Sequence, residues 1–394
     1  MPFKERSIME DREEFCRLAG SPGGNVRELC RRWSLSSATA YKWLQRYEEA
    51  GQAGLVDRSR RPLRSPWRTA EALEARVLAV RREHPAWGGR KIRRVLENQG
   101  VARPPSASTI TQIVRRHGLL DGPRAGQARD WTRFEHAEPN DLWQMDFKGH
   151  VALAQGRCHP LTVLDDHSRY CLELGACADE QTLTVRRRLE RVFARHGLPR
   201  RILADNGSPW GTAGSSQRHT PLTVWLLDLE VGVSHGRPYH PQTQGKEERF
   251  HRTLKGEVLG DRTFDSLDEA QEAFDAWRPI YNAKRPHEGI GMATPASRYR
   301  MSPRKMPEVI APAEYEPGVQ TRKVDPGGWL SYKGRTVNCP KAFAGRRLAL
   351  RATAEDGVFD LCYRRHVLSQ VDLRENIVKT VHDVPERPFT LNPV

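Results

Sequence analysis

The sequence predicts a multidomain protein with all-α helix-turn-helix modules in front, a central α/β domain and a small β-barrel at the end. Three observations carry that prediction. A chain of 394 residues is longer than one ordinary core holds. Its first third reads as short helices with apolar residues at helical spacing, whereas from Asp141 onward strand-like runs come first and then alternate with helices. The stretch from Gly328 to Leu373 breaks into short strand-like runs separated by glycine turns. The expected boundaries are a first helix-turn-helix at 1–62 and a second, winged-helix-like one at 63–122. A linker at 123–140, the α/β domain at 141–300, a linker at 301–318 and the barrel at 319–394 follow.

Composition narrows the class. Lys and Arg number 64 against 49 Asp and Glu, a net charge of +15. Residues 1–135 hold 27 basic and 16 acidic side chains, so most of the excess sits in the first third. That asymmetry points to a polyanionic partner, nucleic acid being the commonest. No run approaches the roughly 18 apolar residues that cross a bilayer. Met1 to Glu14 is mostly charged, without the apolar stretch of a secretion signal, so a cytoplasmic location is expected, on the nucleoid when bound to DNA. Seven scattered cysteines form no C-x-x-C pair, which argues for reduced, buried thiols over a disulfide framework or zinc cage. No glycine-rich phosphate loop implies ATP.

In the first module Val26, Leu29, Cys30 and Trp33 share one helical face. After the break at Ser34-Leu35-Ser36, Ala40, Trp43, Leu44 and Tyr47 share another. A second helix of this kind fits the major groove, leaving Thr39, Lys42 and Arg46 to face DNA. The layout recurs beyond the basic linker Arg58 to Pro62. Glu71 to Glu83 is helical, Trp87-Gly88-Gly89-Arg90-Lys91-Ile92 opens the next helix, and Ser108 to His117 forms a third. Arg90, Lys91, Gln112, Arg115 and Arg116 are the DNA-facing residues expected there.

In the central domain, Leu142 to Phe147 reads as a strand. His159 to Asp166 and Tyr170 to Leu174 read as a pair joined at His167-Ser168-Arg169. A helix over Thr182 to His196 precedes the buried strand Arg201 to Asp205, which ends at the turn signal Asn206-Gly207. Asp146 and Asp205 thus stand at strand ends, and Glu248 lies on a helix starting near Gln244-Gly245. Three carboxylates from separate elements can converge into a hard-oxygen cage for Mg²⁺ or Mn²⁺. Either Glu247 or Glu248 can supply the third. At about 100° per residue, Glu248 shares a sector with Arg252 and Lys255, while Glu247 points with Phe250, Leu254 and Val258 toward the core, which favours Glu248. Asp165 and Asp166, before a hairpin turn, and His235 and His287 read as structural. His240 and His251 lie near the site but are poor partners for Mg²⁺.

Trp143-Gln144-Met145-Asp146, Ala204-Asp205-Asn206-Gly207 and the run from Pro238 through Gln244-Gly245-Lys246-Glu247-Glu248-Arg249 to His251 together resemble retroviral integrases and related bacterial insertion-sequence transposases. Tyr281-Asn282, Arg285-Pro286-His287 and Thr294-Pro295 resemble the segment that closes the core in the bacterial elements. The resemblance covers residues 141–300; the two front modules and the β-rich tail are similar in layout. It implies an RNase H-like core in which Asp146, Asp205 and Glu248 hold two Mg²⁺ or Mn²⁺ ions. Lys255 takes the position that contacts the DNA end, Gln244 and Asn206 flank the site, and Arg252 joins the phosphate-gripping face. The implied activity is that of a DNA transposase, at least a dimer, which binds terminal repeats of double-stranded DNA, frees a 3′-OH and joins it to target DNA. The interval from Asp205 to Glu248 is longer than usual for the family, and the surplus is expected in a loop over Gly211 to Pro221. A decayed DNA-binding regulator, a nuclease without strand transfer and an architectural factor are the competing readings.

Overall fold

The computed structural model describes residues 7–58, 68–120, 135–211, 219–235, 245–260, 262–374 and the backbone of 380–381. The chain divides into two compact units, Met1–Arg68 and Thr69–Val394. Gln244, His240 and the run Pro238 to Thr243 lie outside the described residues, as does most of the expected 211–221 loop.

The first unit is a three-helix bundle of α1 (Ile8–Ala19), α2 (Val26–Arg32) and α3 (Ser37–Ala50). Each helix starts on a side-chain cap: a Ser7/Glu10 capping box, Asn25 accepting from two N–H groups, and Ser36 accepting from the Thr39 N–H. Phe15, Cys16, Cys30, Ala40, Trp43 and Leu55 form its core. Helix α1 escaped the sequence reading, although Ser7 followed three residues later by Glu10 is its signature.

The second unit opens with α4 (Glu71–Glu83), α5 (Gly89–Asn98) and α6 (Ala107–Arg116), packed on Val77, Trp87, Ile92, Leu96, Ile110 and Ile113. The glycine at the start of α5 has a steric reason. A Cβ on Gly89 would stand 2.2 Å from the Ala107 carbonyl oxygen, so only glycine lets α5 approach α6 this closely. Buried Arg81 donates to the carbonyls of Trp87 and Leu119 and ties the bundle's ends together.

The α/β body is one sheet built from β1 (Trp143–Phe147), β2 (Val151–Ala152), β3 (Arg157–Asp165), β4 (Cys171–Cys177), β5 (Arg201–Ala204) and β6 (Gly232–His235). Strand β1 is antiparallel to β3 and parallel to β5. Strand β3 pairs antiparallel with β4, and β5 pairs parallel with β6. Both faces are covered. Trp143, Met145, Leu161 and Val163 face α7 (Thr182–His196) and α8 (Pro221–Asp228). Cys158, Leu164 and Leu174 face α9 (Gly245–Leu254) and α10 (Leu267–Pro279), where Phe250, Leu254, Phe274 and Trp277 complete the packing. By strand alternation Gln144, Asp146 and Thr162 lie on this second face.

Three expectations about organisation need correction. Residues 301–318 are no free linker. The Leu198 N–H donates to the Arg304 carbonyl at 2.7 Å, the Arg304 guanidinium donates to the carbonyls of Pro199, Leu229 and Glu230, and Met306 and Ile310 pack on the sheet's core. Residues 135–140, expected as the end of a linker, belong to the body as well: the Asn140 N–H donates to buried Asp165 and Glu135 pairs with Arg169. Among the described residues the tail does not close into a barrel. Strands β7 (Gln320–Lys323), β10 (Arg347–Ala352), β11 (Val358–Tyr363), β12 (His366–Asp372) and β13 (Thr380–Val381) form an open sheet, with β8 (Trp329–Tyr332) and β9 (Arg335–Asn338) a separate hairpin. The physical reason is that the sheet's apolar side is covered by α8, whose Val224 and Leu227 join Leu348, Leu361 and Tyr363 in one cluster. Asp228 fastens this contact by accepting from Arg346 and the Tyr363 hydroxyl at 2.5 Å each. All seven cysteines are buried and unpaired. Among the described residues no helix is long and apolar enough to cross a membrane.

Candidate catalytic site and nucleic-acid surfaces

Strands β1 and β5 run parallel with Gln144 opposite Leu203, so Asp146 and Asp205 stand two residues further along, at neighbouring carboxyl ends. Such ends are where α/β sheets place their chemistry. Asp205 Oδ1 accepts from the Gly207 N–H at 2.9 Å and from the Trp210 indole N–H. Trp210 in turn stacks on Phe147, with centroids 5.4 Å apart. Asp146 is half-buried. Burial, then the charges of Asp205, Glu180 and Glu248, push its carboxyl up to about 7 against the pull of the Phe147 N–H.

Helix α9 presents two faces. Glu248, Arg252 and Lys255 are exposed, whereas Glu247 is 1% exposed and shares the inward stripe with Phe250 and Leu254. That is the orientation the helical projection predicts. Lys255 begins a π-helical turn, Lys255–Leu259, directly after α9. Beneath the helix lies a polar seam. The Thr162 hydroxyl has one proton to donate, to the Asp146 carbonyl at 2.9 Å or to Glu247 Oε2 at 3.0 Å, and it stands 2.9 Å from His251 Nε2. His251 Nδ1 stands 4.0 Å from Asp146 Oδ2. Burial, then Asp146, holds the Glu247 carboxyl well above the usual range, and burial, then Lys148, pushes His251 down to about 4. Directly before Glu247, Lys246 pairs with buried Asp166, which also accepts from Gln144 Nε2 at 2.7 Å. Neither the Thr162 nor the Lys246 tie was read from the sequence; Thr162, two residues from the strand-end pair Leu164-Asp165, carries no local signal.

Asp165 and Asp166 take the structural role expected of them. Asp165 accepts from Asn140 and from Ser168 at the hairpin turn, and Asp166 accepts from the His136 N–H. His287 caps the Gly289 N–H, and His235 Nδ1 lies 2.8 Å from the Asp205 carbonyl, closer to the acidic centre than the sequence indicated.

Among the described residues no three His, Cys, Asp or Glu side chains stand together as a finished metal cage. The donor chemistry still fits a hard cation. Asp146, Asp205 and Glu248 offer oxygen alone, and Asp146 feels the negative charge of the other two, which a divalent ion would offset.

The residues expected to face DNA separate into two groups. Lys42 is exposed, Arg46 is half-buried, and both lie over the Trp43 ring, at 4.3 and 5.1 Å from its centroid. Thr39 is half-buried and its hydroxyl meets the Ser36 cap at 2.9 Å. Gln112 and Arg115 are exposed on α6. Two others also pair with carboxylates of the protein. Arg116 pairs with buried Glu74 at 2.6 Å, and Lys91, with a side chain 12% exposed, pairs with Glu288 at 3.8 Å. Arg90 is exposed, 4.0 Å from the same Glu288. Of these only Lys91 is largely covered, and periodicity does not say which cation a neighbouring carboxylate will meet.

Comparison with known proteins agrees with this architecture. Residues 136–241 and 229–295 match integrase core domains, residues 39–114 a homeodomain-like domain, and residues 319–379 the C-terminal domain of IS481 family transposases. The chain is 25% identical over 310 residues to the insertion element IS476 uncharacterized 39.2 kDa protein of Xanthomonas euvesicatoria, covering 70% of this chain and 85% of that one. It is 25% identical over 243 residues to the transposase for insertion sequence element IS904 of Lactococcus lactis, covering 57% and 92%. The HTLV-2 integrase catalytic core in complex with magnesium aligns over 42% of this chain and 99% of its own, at 16% identity and a TM-score of 0.33.

Proposed function

We propose that the chain is a bacterial insertion-sequence transposase of the retroviral-integrase superfamily, a reading supported by its integrase core and IS481-type C-terminal matches, and that it binds the element's terminal repeats, hydrolyses the DNA ends and joins them to target DNA by two-metal phosphoryl transfer. The observation that carries this reading is that Asp146 and Asp205 stand at adjacent strand ends, with Glu248 on the exposed face of α9. Asp146, Asp205 and Glu248 would hold Mg²⁺ or Mn²⁺. Bound there, two such ions supply charge neutralisation and Lewis acidity at a phosphodiester.

The chain's own groups supply position and electrostatics. Trp210 and the Gly207 N–H orient the Asp205 carboxylate. Arg252 and Lys255, on the solvent face of the helix that bears Glu248, bind the phosphates next to the scissile bond. Water opens that bond and leaves a 3′-OH on the element. The hydroxyl then attacks a target phosphorus, its proton goes to solvent, and the target's own 3′ oxygen leaves as the new ester forms. Energy is conserved from one ester to the next, so no nucleotide cofactor enters. Joining two ends calls for at least a dimer, and α3 with Lys42 and Arg46 supplies the basic contact to the repeats.

The test is strand transfer from a labelled DNA end, taken from the sequence flanking the gene, into plasmid with Mg²⁺ or chelator. The expected result is joined product with metal, and loss of cutting by roughly 10³-fold or more in Asp205→Asn with DNA binding kept. Cutting without joining would move the reading to a nuclease; binding with neither would move it to a regulator.

A further inference from the structure

Two kinds of contact hold α9 on the sheet, and they do different things. Phe250 and Leu254 bury apolar surface against Leu164, Leu174 and Phe274. That attraction is non-directional and tolerates small slides and rotations of the helix. The seam at Thr162 is directional. A hydroxyl offers one donor and two lone pairs, and three neighbours surround this one: the Asp146 carbonyl on β1 at 2.9 Å, Glu247 Oε2 at 3.0 Å and His251 Nε2 at 2.9 Å. Glu247 and His251 are one helical turn apart, so both ends of the turn that bears Glu248 are referred to one atom beside Asp146. The second oxygen of Glu247 is buried and has no hydrogen-bond partner.

Burying these groups is costly. Replacing a buried polar cluster by apolar residues of similar volume is commonly neutral or stabilising. A stability role therefore explains the seam poorly, and its place between two of the three carboxylates explains it better.

We infer that Glu247, Thr162 and His251 are positioning residues, a polar key that sets where Glu248 stands relative to Asp146 without touching DNA or metal themselves. The inference rests on the proposed reaction. It assigns opposite duties to adjacent glutamates: Glu248 reaches outward to the reacting centre, and Glu247 points inward to fix the helix.

The experiment uses the full chain. In Thr162→Val/Glu247→Leu/His251→Leu the three polar side chains go together, and of the seam only the Asp146 main-chain carbonyl remains. The melting temperature should hold or rise and the affinity for terminal DNA should stay unchanged. Mn²⁺ binding, read by calorimetry without DNA, should weaken about tenfold, and kcat for end cleavage should fall roughly 100-fold at constant KM, as a misplacement of about 1 Å produces. Glu247→Gln keeps the hydrogen bond and should cut within about threefold of wild type. A triple variant that cuts and binds Mn²⁺ like wild type overturns the inference, and so does one that loses stability in proportion to activity. Should the triple variant fail to fold, Thr162→Val against Thr162→Ser decides: impaired Val with Ser restored supports the key, and equal behaviour refutes it. Wild type and Glu248→Gln run alongside. Wild type that does not cut tells against the proposed function, while the Mn²⁺ affinities still judge the key.

Discussion

The two helical bundles invite comparison because they share a layout and a basic composition yet use their cations differently. In the first, Lys42 and Arg46 lie over Trp43, and among the described residues neither is paired with a buried carboxylate. In the second, Arg116 is paired with a buried Glu74 and Lys91 with Glu288, while Ile280 of the body joins the bundle's core. A cation already paired in the protein gains less from a phosphate, because the pairing must be shared or given up. Positive charge read from sequence marks a region that can meet DNA; which side chains meet it depends on what the rest of the chain packs against them.

The largest expected difference between the units comes with acid. The first unit has no histidine, whereas the second buries several, among them His196, pushed down to about 4 by burial, then Arg195 and Arg278. A histidine with a lowered folded pKa contributes stability above its unfolded value near 6.5, and that contribution is lost as pH falls toward 4. Wild type should therefore lose on the order of 3 kcal/mol relative to His196→Gln between pH 6.5 and 4, measured by urea unfolding at each pH. A flat difference would break the assignment.

Next in size is Arg116→Met. Removing the closer of the two cations beside buried Glu74, with His117 Nε2 still 3.7 Å away, should destabilise the second unit by about 1 kcal/mol, less than for a fully buried pair because Arg116 is partly exposed. DNA affinity should hardly change. Lys42→Ala and Arg46→Ala should do the reverse. Each should weaken binding to terminal DNA by about 1 kcal/mol and lower the salt slope by about 1, with melting unchanged. Smallest is Lys91→Met, which loosens the Glu288 contact by about 0.5 kcal/mol and leaves the salt slope where it was. If Arg116 and Lys91 variants changed the slope as much as Lys42→Ala, the contrast between the bundles would fall.

Much of the body was legible in the sequence. The strands around Asp146 and Asp205, the β3–β4 hairpin turning at His167 to Arg169 and the helix over Thr182 to His196 follow from local pattern and turn chemistry. The inward stripe of α9 follows from its period, which is why the sequence alone distinguishes the inward Glu247 from the outward Glu248. The tail was read correctly as strands and wrongly as a barrel. Alternation reveals that a strand has an apolar face but not which surface will cover it, and here α8 does.

What the sequence determined by itself, then, was the order of elements, the spacing of the acidic residues and the side of α9 each glutamate takes, because these depend on residues a few positions apart. Only the tertiary structure decided that Thr162, Glu247 and His251 meet beside Asp146, that Asp228 anchors the tail, and that Arg116 and Lys91 are occupied. Those contacts join residues tens to well over a hundred positions apart. Their partners are selected by packing and by the need to satisfy buried charge, and no local pattern encodes either.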